Sequence, residues 1–366
     1  MATTRSAAGV TTPEPTTSAI EDSGAAEPGC PKRMVYGPCG GVRPGGGCEV
    51  DDRSCPFVDR DTVRWAGPQP STPAPAFGAA LGVVGPVIVT DLRVRPFDGR
   101  SIASVTRRLS ASADAVLVGE HHVRPDFPPT MMARLVREAG GTPWVTLTCR
   151  DRNRVVLEAE LAALGEVGAA GVHCVTGDSR ARSVRDDATQ VFDLDGTRLT
   201  ALAAEAGLCP SVAATPAAPP TTRRPARLLE KQRAGAAACF VNHAGGSRPV
   251  ADFVAAARRL GVTIPFIPCV AVITDLESLV VLERFPGLVI DPEVRRSVLQ
   301  AGDGREAGIT AAVEEALRML AIEGVVGVNL SGSATAGPEE ESAAIMDDVA
   351  ARIRQRLAVS GLPTTR

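Results

Sequence analysis

Aromatic side chains and an excess of charge of one sign are both scarce in this 366-residue sequence. Only 3% of the residues are Phe, Trp or Tyr, and 39 basic residues stand against 42 acidic ones, for a formal net charge of -3. Nucleic-acid binding depends on a basic surface and, for single strands, on aromatic platforms for the bases. The composition therefore argues against nucleic acid as a partner.

Long apolar runs are also lacking. No run reaches the roughly 18 residues that span a bilayer, and the first residues have no hydrophobic core of a signal peptide. We therefore expect a cytoplasmic protein with no membrane partner. In that compartment the nine cysteines, an odd number, predict free thiols or metal ligands rather than a complete disulfide framework.

Composition divides the chain into five parts. Residues 1–29 are rich in Thr, Ser, Ala, Pro and Glu, which predicts a disordered tail because too little apolar surface is available for burial. Residues 30–65 contain four cysteines, and residues 66–85 form a Pro/Ala/Gly-rich stretch that predicts a linker. Residues 86–359 form the main domain, and residues 360–366 form a C-terminal tail.

Eight short β-branched runs alternate with segments of helical period in the main domain, which is typical of βα units around a parallel sheet. The runs are PVIVTDL (86–92), AVLVGE (115–120), PWVTLTC (143–149), GVHCVTGD (171–178), PSVAATP (210–216), ACFVNHA (238–244), PFIPCVA (265–271) and GVVGVNLSG (324–332).

Eight such units predict a closed (βα)8 TIM barrel, completed by a helix over residues 338–357. An open doubly wound sheet is the alternative, but no GxGxxG motif follows the first strand. Active sites of barrels lie at the C-terminal ends of the strands. There the sequence places polar residues at nearly every strand: Asp91, Glu120, Arg150, Asp151, Asp178, Thr215, Asn242, His243 and Asn329.

Cys30, Cys39, Cys48 and Cys55 are separated by eight, eight and six residues, among glycines and prolines that permit tight turns. Four thiolates around one zinc ion or an iron-sulfur cluster would explain how so short a segment folds with little core of its own. Free thiols in a flexible arm, or two disulfides, are the alternatives. The spacing does not separate zinc from a cluster.

Two parts of the sequence carry a resemblance. CPKRMVYGPCGGVRPGGGCEVDDRSCPF resembles the small cysteine-rich domain named for the C-terminal region of methylenetetrahydrofolate reductases. The main domain resembles the same family in VTLTCRDRNR (145–154), HCVTGD (173–178), LLEKQRAGAAACFVN (228–242) and GVVGVNL (324–330).

The resemblance implies an oxidoreductase of one-carbon metabolism that reduces 5,10-methylenetetrahydrofolate to 5-methyltetrahydrofolate with NAD(P)H. FAD is the usual relay in this family, although some actinobacterial relatives work without flavin. Two other functions remain open: a non-catalytic subunit that binds folate or transfers electrons to a partner, and a tetrahydrofolate-dependent methyltransferase. The expected partners are folate and either a second copy of the chain or a redox subunit.

The resemblance also assigns substrate-binding residues. Asp178 matches an aspartate that accepts two hydrogen bonds from the pterin, and a helix N-cap is its alternative role. Asn242 stands where the family has a glutamine, and a turn residue is the alternative. Asn329, in the last strand, is the third substrate-binding candidate.

Opening the imidazolidine ring of the substrate requires a general acid at N10. The family places a glutamate at the end of the first strand, where this chain has Asp91. Because Arg93 and Arg95 follow it, we expect this shorter carboxylate to stay ionised. Glu120, beside His121 and His122, is the second catalytic candidate, either as an acid or as a nucleotide contact.

The RDRNR stretch is a candidate for binding a cofactor phosphate or the folate glutamate tail. The resemblance implies that Lys231, eleven residues before Asn242, contacts a flavin phosphate. A self-paired surface cluster is the alternative for RDRNR, and a solvated helix face is the alternative for the lysine. These cofactor-binding candidates are Arg150, Asp151, Arg152, Asn153, Arg154 and Lys231.

Overall fold

A computed structural model describes residues 24–70, 75–120, 125–178, 188–285, 287–300 and 304–359. Eight parallel strands pair in chain order, and β1 pairs with β8 to close the barrel. The predicted (βα)8 barrel is therefore confirmed. The strands are β1 Val87–Asp91, β2 Ala115–Val118, β3 Pro143–Thr148, β4 Gly171–Val175, β5 Pro210–Ala214, β6 Ala238–Val241, β7 Phe266–Ile273 and β8 Gly327–Ala334.

Eleven helices occur in the described ranges. Each strand is followed by at least one of them, as the βα pattern requires, and the last covers the predicted C-terminal helix. They are α1 Phe77–Leu81, α2 Gly99–Leu109, α3 Pro129–Glu138, α4 Arg154–Val167, α5 Gly196–Glu205, α6 Arg224–Arg233, α7 Ser247–Arg259, α8 Leu276–Glu283, α9 Pro292–Gln300, α10 Gly304–Leu320 and α11 Glu339–Val359.

Successive side chains along each strand point alternately into the barrel interior and outward toward the surrounding helices. On β1, Val87 and Val89 face the interior and pack in one cluster with Trp144 and Phe240. Ile88 belongs instead to the larger core between strands and helices. The same alternation brings the last inward residue of each strand to the mouth at the C-terminal end of the barrel.

The stretch predicted as a linker contains part of the barrel packing. Within it, α1 places Phe77 against Trp144, with ring centroids 4.6 Å apart, and against Phe240 at 6.1 Å. Phe77 is only 1% exposed. It closes the interior at the end opposite the mouth, so this half of the stretch is not a free connection.

The cysteine-rich segment shares a hydrophobic core with the barrel. Tyr36 and Trp65 pack together with ring centroids 5.0 Å apart, and they belong to one buried cluster with Ala201 of α5 and Ala234 of α6. The few large side chains of this segment are therefore buried against helices that lie far away in the sequence, not in a core of its own. Within the described ranges, no helix is both long and apolar enough to cross a membrane.

Candidate functional site

Two connected cavities fill the mouth of the barrel. The first, of about 400 Å³, lies between the cysteine-rich segment and the ends of β3 to β6, and we call it the covered cavity. The second, of about 670 Å³, lies over β1, β7 and β8, and we call it the apolar cavity. Nine residues line both cavities and so mark the boundary between them. They are Gly40, Asp91, Gly119, Glu120, His173, Asp178, Thr215, Asn242 and Phe285.

Asp91 lies on this boundary, at the end of β1. Its carboxylate accepts hydrogen bonds from Asn329 Nδ2 at 3.0 Å and from the backbone N–H of Gly332 at 3.2 Å. The surrounding protein removes water from the carboxylate and raises the pKa of Asp91 to about 6, even though these two hydrogen bonds act in the opposite direction.

The two arginines that follow Asp91 do not pair with it. Arg93 donates to the carbonyl oxygens of Thr335 at 2.8 Å and Ser333 at 3.5 Å. Arg95 forms ion pairs with Asp98 and with Glu339. The expectation that adjacent arginines keep Asp91 ionised is therefore wrong, because both side chains, although they line the apolar cavity, are engaged by other acceptors.

Glu120 has a different environment. Its two oxygens accept hydrogen bonds from Arg152 at 2.9 and 2.8 Å, and from the backbone N–H and hydroxyl of Thr148 at 2.8 and 3.1 Å. This network ties the end of β2 to the end of β3. Its predicted partners His121 and His122 lie outside the described residues.

Asp178 and Asn242 both face the two cavities, as their predicted roles require. Asp178 is exposed after β4, whereas α5 is capped by Asp195, which accepts from the N–H groups of Thr197 and Arg198. Asn242 donates from Nδ2 to the hydroxyl of Thr215 at 3.2 Å. Asp178 is therefore not the cap of the helix that begins at Gly196.

Asn329 lines the apolar cavity from β8. Its Nδ2 donates to Asp91, while its buried Oδ1 has no hydrogen-bond partner among the described residues. A buried acceptor without a partner is costly unless a ligand or water supplies the missing donor. This oxygen is accordingly well placed for a ligand that carries an N–H group.

The predicted cofactor residues separate into two groups, those that line a cavity and those that do not. Arg152 is engaged by Glu120, Asn153 caps α4 by accepting from Val156 N–H, and Arg154 pairs with Glu158 at 2.7 Å on the surface. None of these three lines either cavity. Asn153 and Arg154 thus fit the surface-cluster alternative, whereas Arg152 is partly buried and pairs with Glu120 outside the RDRNR stretch.

Arg150 and Lys231 do line the covered cavity. Arg150 is 2% exposed and pairs with Asp151 through Nε at 2.9 Å, while its Nη2 has no partner in the described structure. Lys231 donates to the carbonyl of Ala213 at 2.5 Å, and burial, with Arg227 nearby, lowers its pKa to about 7. With only these two in the cavity, the six predicted residues do not form a common site for a cofactor phosphate.

Sequence reasoning named Lys231 but missed two further cations of α6, Arg224 and Arg227, and the contribution of the cysteine-rich segment. Arg224, Arg227 and Lys231 lie three and four positions apart on one helix face, a spacing that could have revealed them. Lys32 and Glu49 form a buried ion pair over the covered cavity, each side chain 3% exposed. No local pattern marks that pair, because it depends on how the segment docks.

All nine cysteines are free thiols, and each of them lies in the described ranges, so the disulfide alternative does not apply. Burial raises the pKa of Cys30 and Cys55, and the other thiols of the four-cysteine set add to this rise, which places the four within electrostatic reach. No group of three or more His, Cys, Asp or Glu side chains in the described residues is arranged to hold a metal ion. The thiols as arranged do not fit a metal, and zinc or a cluster at Cys30, Cys39, Cys48 and Cys55 stays a prediction.

The fold and the mouth define a (βα)8 barrel whose ligand cavity is partly covered by a cysteine-rich segment. Residues 23–63 match the family model described as methylene-tetrahydrofolate reductase C terminal, which confirms the resemblance of that segment. No curated protein sequence is similar enough to this chain to count as a match.

Among solved structures, an uncharacterized protein from Clostridium thermocellum that binds two copies of 5-methyl-5,6,7,8-tetrahydrofolic acid is similar in fold. The TM-score is 0.51 and the identity 12%, over 75% of this chain and 98% of the other. A 2,3-dimethylmalate lyase of the PEP mutase/isocitrate lyase superfamily has a TM-score of 0.43 and 12% identity, over 78% of this chain and 84% of the other. At 12% identity the likeness to the C. thermocellum protein concerns the fold alone.

Proposed function

We propose that this chain binds a reduced folate in the mouth of the barrel and reduces 5,10-methylenetetrahydrofolate to 5-methyltetrahydrofolate with NAD(P)H. The observation that carries the proposal is Asp91, a carboxyl group at the end of β1 with a pKa of about 6. A general acid works best when its pKa is near the operating pH. The cysteine-rich domain type at residues 23–63 and the folate bound by the C. thermocellum barrel support the choice of substrate.

The chemistry assigns a separate task to each polar residue of the mouth. Protonated Asp91 gives its proton to N10 as the five-membered ring opens, which leaves a 5-iminium cation. NAD(P)H then transfers a hydrogen from C4 of its nicotinamide ring, with both electrons of that C–H bond, to the exocyclic carbon, which produces the methyl group and NAD(P)+. The Asp91 carboxylate left behind is stabilised by its bonds from Asn329 and Gly332 and regains a proton from solvent.

Asp178 and Asn242 hold the substrate in this proposal. The carboxylate of Asp178 accepts two parallel hydrogen bonds, one from the pterin amino group and one from the neighbouring ring N–H. Asn242 and the unpartnered Oδ1 of Asn329 offer further polar contacts at the ring edge. Because the predicted cofactor residues do not form one phosphate site, no step is assigned to FAD.

Anaerobic oxidation of NADH and NADPH in the presence of methylenetetrahydrofolate tests this function, with 5-methyltetrahydrofolate quantified as the product. We expect turnover in the native chain. Asp91→Asn should lose about a hundredfold or more in kcat while keeping its affinity for 5-methyltetrahydrofolate. Asp52→Asn is the matched control, because its carboxylate is fully exposed and lines neither cavity.

The two other functions predict different results. Folate binding without oxidation of either nicotinamide would favour the non-catalytic subunit. Methyl transfer from 5-methyltetrahydrofolate to an added thiol acceptor, again without nicotinamide oxidation, would favour the methyltransferase. Absence of folate binding would refute the proposal as a whole.

A further inference from the structure

A chain of three buried side chains crosses the barrel interior beneath the mouth. Trp144 donates from Nε1 to the hydroxyl oxygen of Ser211 at 2.8 Å, and this oxygen lies 2.9 Å from Nδ1 of His173. Trp144 and Ser211 are fully buried, and His173 is 7% exposed. The three residues come from β3, β5 and β4, so only the closed barrel brings them together.

The order of donors along this chain fixes the tautomer of His173. An indole N–H can only donate, so Ser211 accepts from Trp144 and keeps its own proton to give. No other hydrogen bond of the Ser211 side chain occurs in the described ranges, so the proton goes to Nδ1 of His173. A neutral imidazole that accepts at Nδ1 carries its proton at Nε2.

Burial keeps this imidazole neutral. It lowers the pKa of His173 to about 3, and the nearby ammonium of Lys231 acts in the same direction. His173 lines both cavities, and its Nε2 has no hydrogen-bond partner within the described part of the chain. The Nε2–H group of His173 is therefore a neutral hydrogen-bond donor at the base of the mouth, and the bond to Ser211 fixes its orientation.

His243 shows why this property is specific to His173. Its Nε2 lies 2.7 Å from the Ser331 hydroxyl, and a hydrogen bond to the Cys269 backbone engages the ring as well. A bond that raises an imidazole pKa is donated by the ring, so the Cys269 carbonyl accepts it. The ring of His243 therefore has two internal partners, Ser331 and the Cys269 backbone, whereas Ser211 engages only Nδ1 of His173 and leaves Nε2 for a ligand.

We infer that His173 binds a planar heteroaromatic ligand. Its Nε2–H donates a hydrogen bond to an uncharged acceptor of that ligand, either a carbonyl oxygen or a ring nitrogen. Phe240, whose ring centroid lies 4.9 Å from that of His173, provides an apolar surface beside it. A neutral donor suits an uncharged acceptor, while the charged edges of a ligand meet Asp178 and Lys231 instead. The inference rests on the proposed function, in which this ligand ring is the pterin.

The test is the binding of 5-methyltetrahydrofolate by calorimetry to the full chain and to two variants. His173→Gln keeps a side-chain N–H near the position of Nε2, whereas His173→Leu removes it. We expect His173→Leu to bind about tenfold more weakly, because a buried acceptor of the ligand loses its donor, and His173→Gln to recover most of the affinity. If the role of His173 were purely structural, both variants would bind 5-methyltetrahydrofolate more weakly and both would have lower melting temperatures.

Nuclear magnetic resonance of ¹⁵N-labelled protein provides a second readout that does not need a variant at His173. We expect its ring to be neutral with the proton on Nε2, and the Nε2–H signal to shift when 5-methyltetrahydrofolate is added. Ser211→Ala should allow His173 to carry its proton on either ring nitrogen. It should therefore weaken binding of 5-methyltetrahydrofolate, although Ser211 itself is buried away from the ligand.

The outcomes separate the two proposals. If the native chain does not bind 5-methyltetrahydrofolate, the proposed function fails. If the native chain binds and His173→Leu binds equally well, or the proton is found on Nδ1, the inference about His173 is wrong and folate binding stands.

Discussion

Lys32 of the cysteine-rich segment donates from Nζ to the carbonyl oxygen of Gly177 at 2.6 Å. Gly177 has a φ of +93°, a conformation that favours glycine, and it directly precedes Asp178. The same Nζ forms the buried ion pair with Glu49. The cysteine-rich segment is thus attached to the backbone that presents the expected pterin carboxylate, which gives the segment a task in shaping the site.

Lys32→Met should destabilise the protein by about 3 kcal/mol, because it leaves Glu49 buried without its cation. It should also weaken binding of 5-methyltetrahydrofolate, since Gly177 loses a contact. The double variant Lys32→Met/Glu49→Met removes both charges and should be more stable than the single one. Urea unfolding measures both effects, and equal stability of the single variant and the native chain would show that the pair is not buried.

Phe77→Ala should lower the free energy of unfolding by about 3 to 5 kcal/mol, since it empties the closed end of the barrel. Phe97→Ala is the matched control: Phe97 is 56% exposed, against 1% for Phe77, and its loss should cost well under 1 kcal/mol. Thermal unfolding of the two variants compares them directly. A small effect at Phe77 would return residues 75–81 to the role of a linker.

Sequence patterns predicted the barrel because each strand is a local feature. Runs such as PVIVTDL and PWVTLTC are apolar, β-branched and bounded by turn residues, and their spacing leaves room for one helix each. The mouth residues Asp91, Asp178 and Asn242 could be named for the same reason: they follow their strands, and barrel geometry brings strand ends together.

The environments of those residues could not be predicted in this way. Arg93 is two positions from Asp91, yet it donates to carbonyl oxygens of residues 333 and 335. Arg152 was expected to contact a phosphate, but it pairs with Glu120, which is 32 positions away. The direction of a long side chain depends on tertiary partners, and the docking of the cysteine-rich segment depends on apolar contacts with α5 and α6.

His173 and His243 should make the protein sensitive to acid. Burial lowers their pKa values to about 3 and about 4, below the ordinary 6.5. The unfolded chain therefore binds protons at these positions first, and the free energy of unfolding should fall as the pH drops from about 6.5 toward 4. His243→Gln should reduce the slope by up to about 1.4 kcal/mol per pH unit, and an unchanged slope in urea titrations would contradict the neutral, buried state of the ring.

Asp91 should act on stability in the opposite direction. Its pKa is raised from 3.8 to about 6 in the folded chain, so the folded state holds this proton more tightly than the unfolded state. The contribution is fully present below pH 3.8 and is lost as the pH rises through about 6. Because Asp91 keeps contact with water in the cavities, we expect about 2 kcal/mol, less than the whole shift would give.

The difference between the native chain and Asp91→Asn isolates this effect from the two histidines, which are common to both proteins. That difference in unfolding free energy should change between pH 4 and 6 and become constant above about 7. The rate should follow the same group: if Asp91 is the acid, kcat/KM for methylenetetrahydrofolate falls about tenfold per pH unit above its pKa. A stability difference that titrates near 6 with a flat rate profile would mean that Asp91 is buried as described but gives no proton to the substrate.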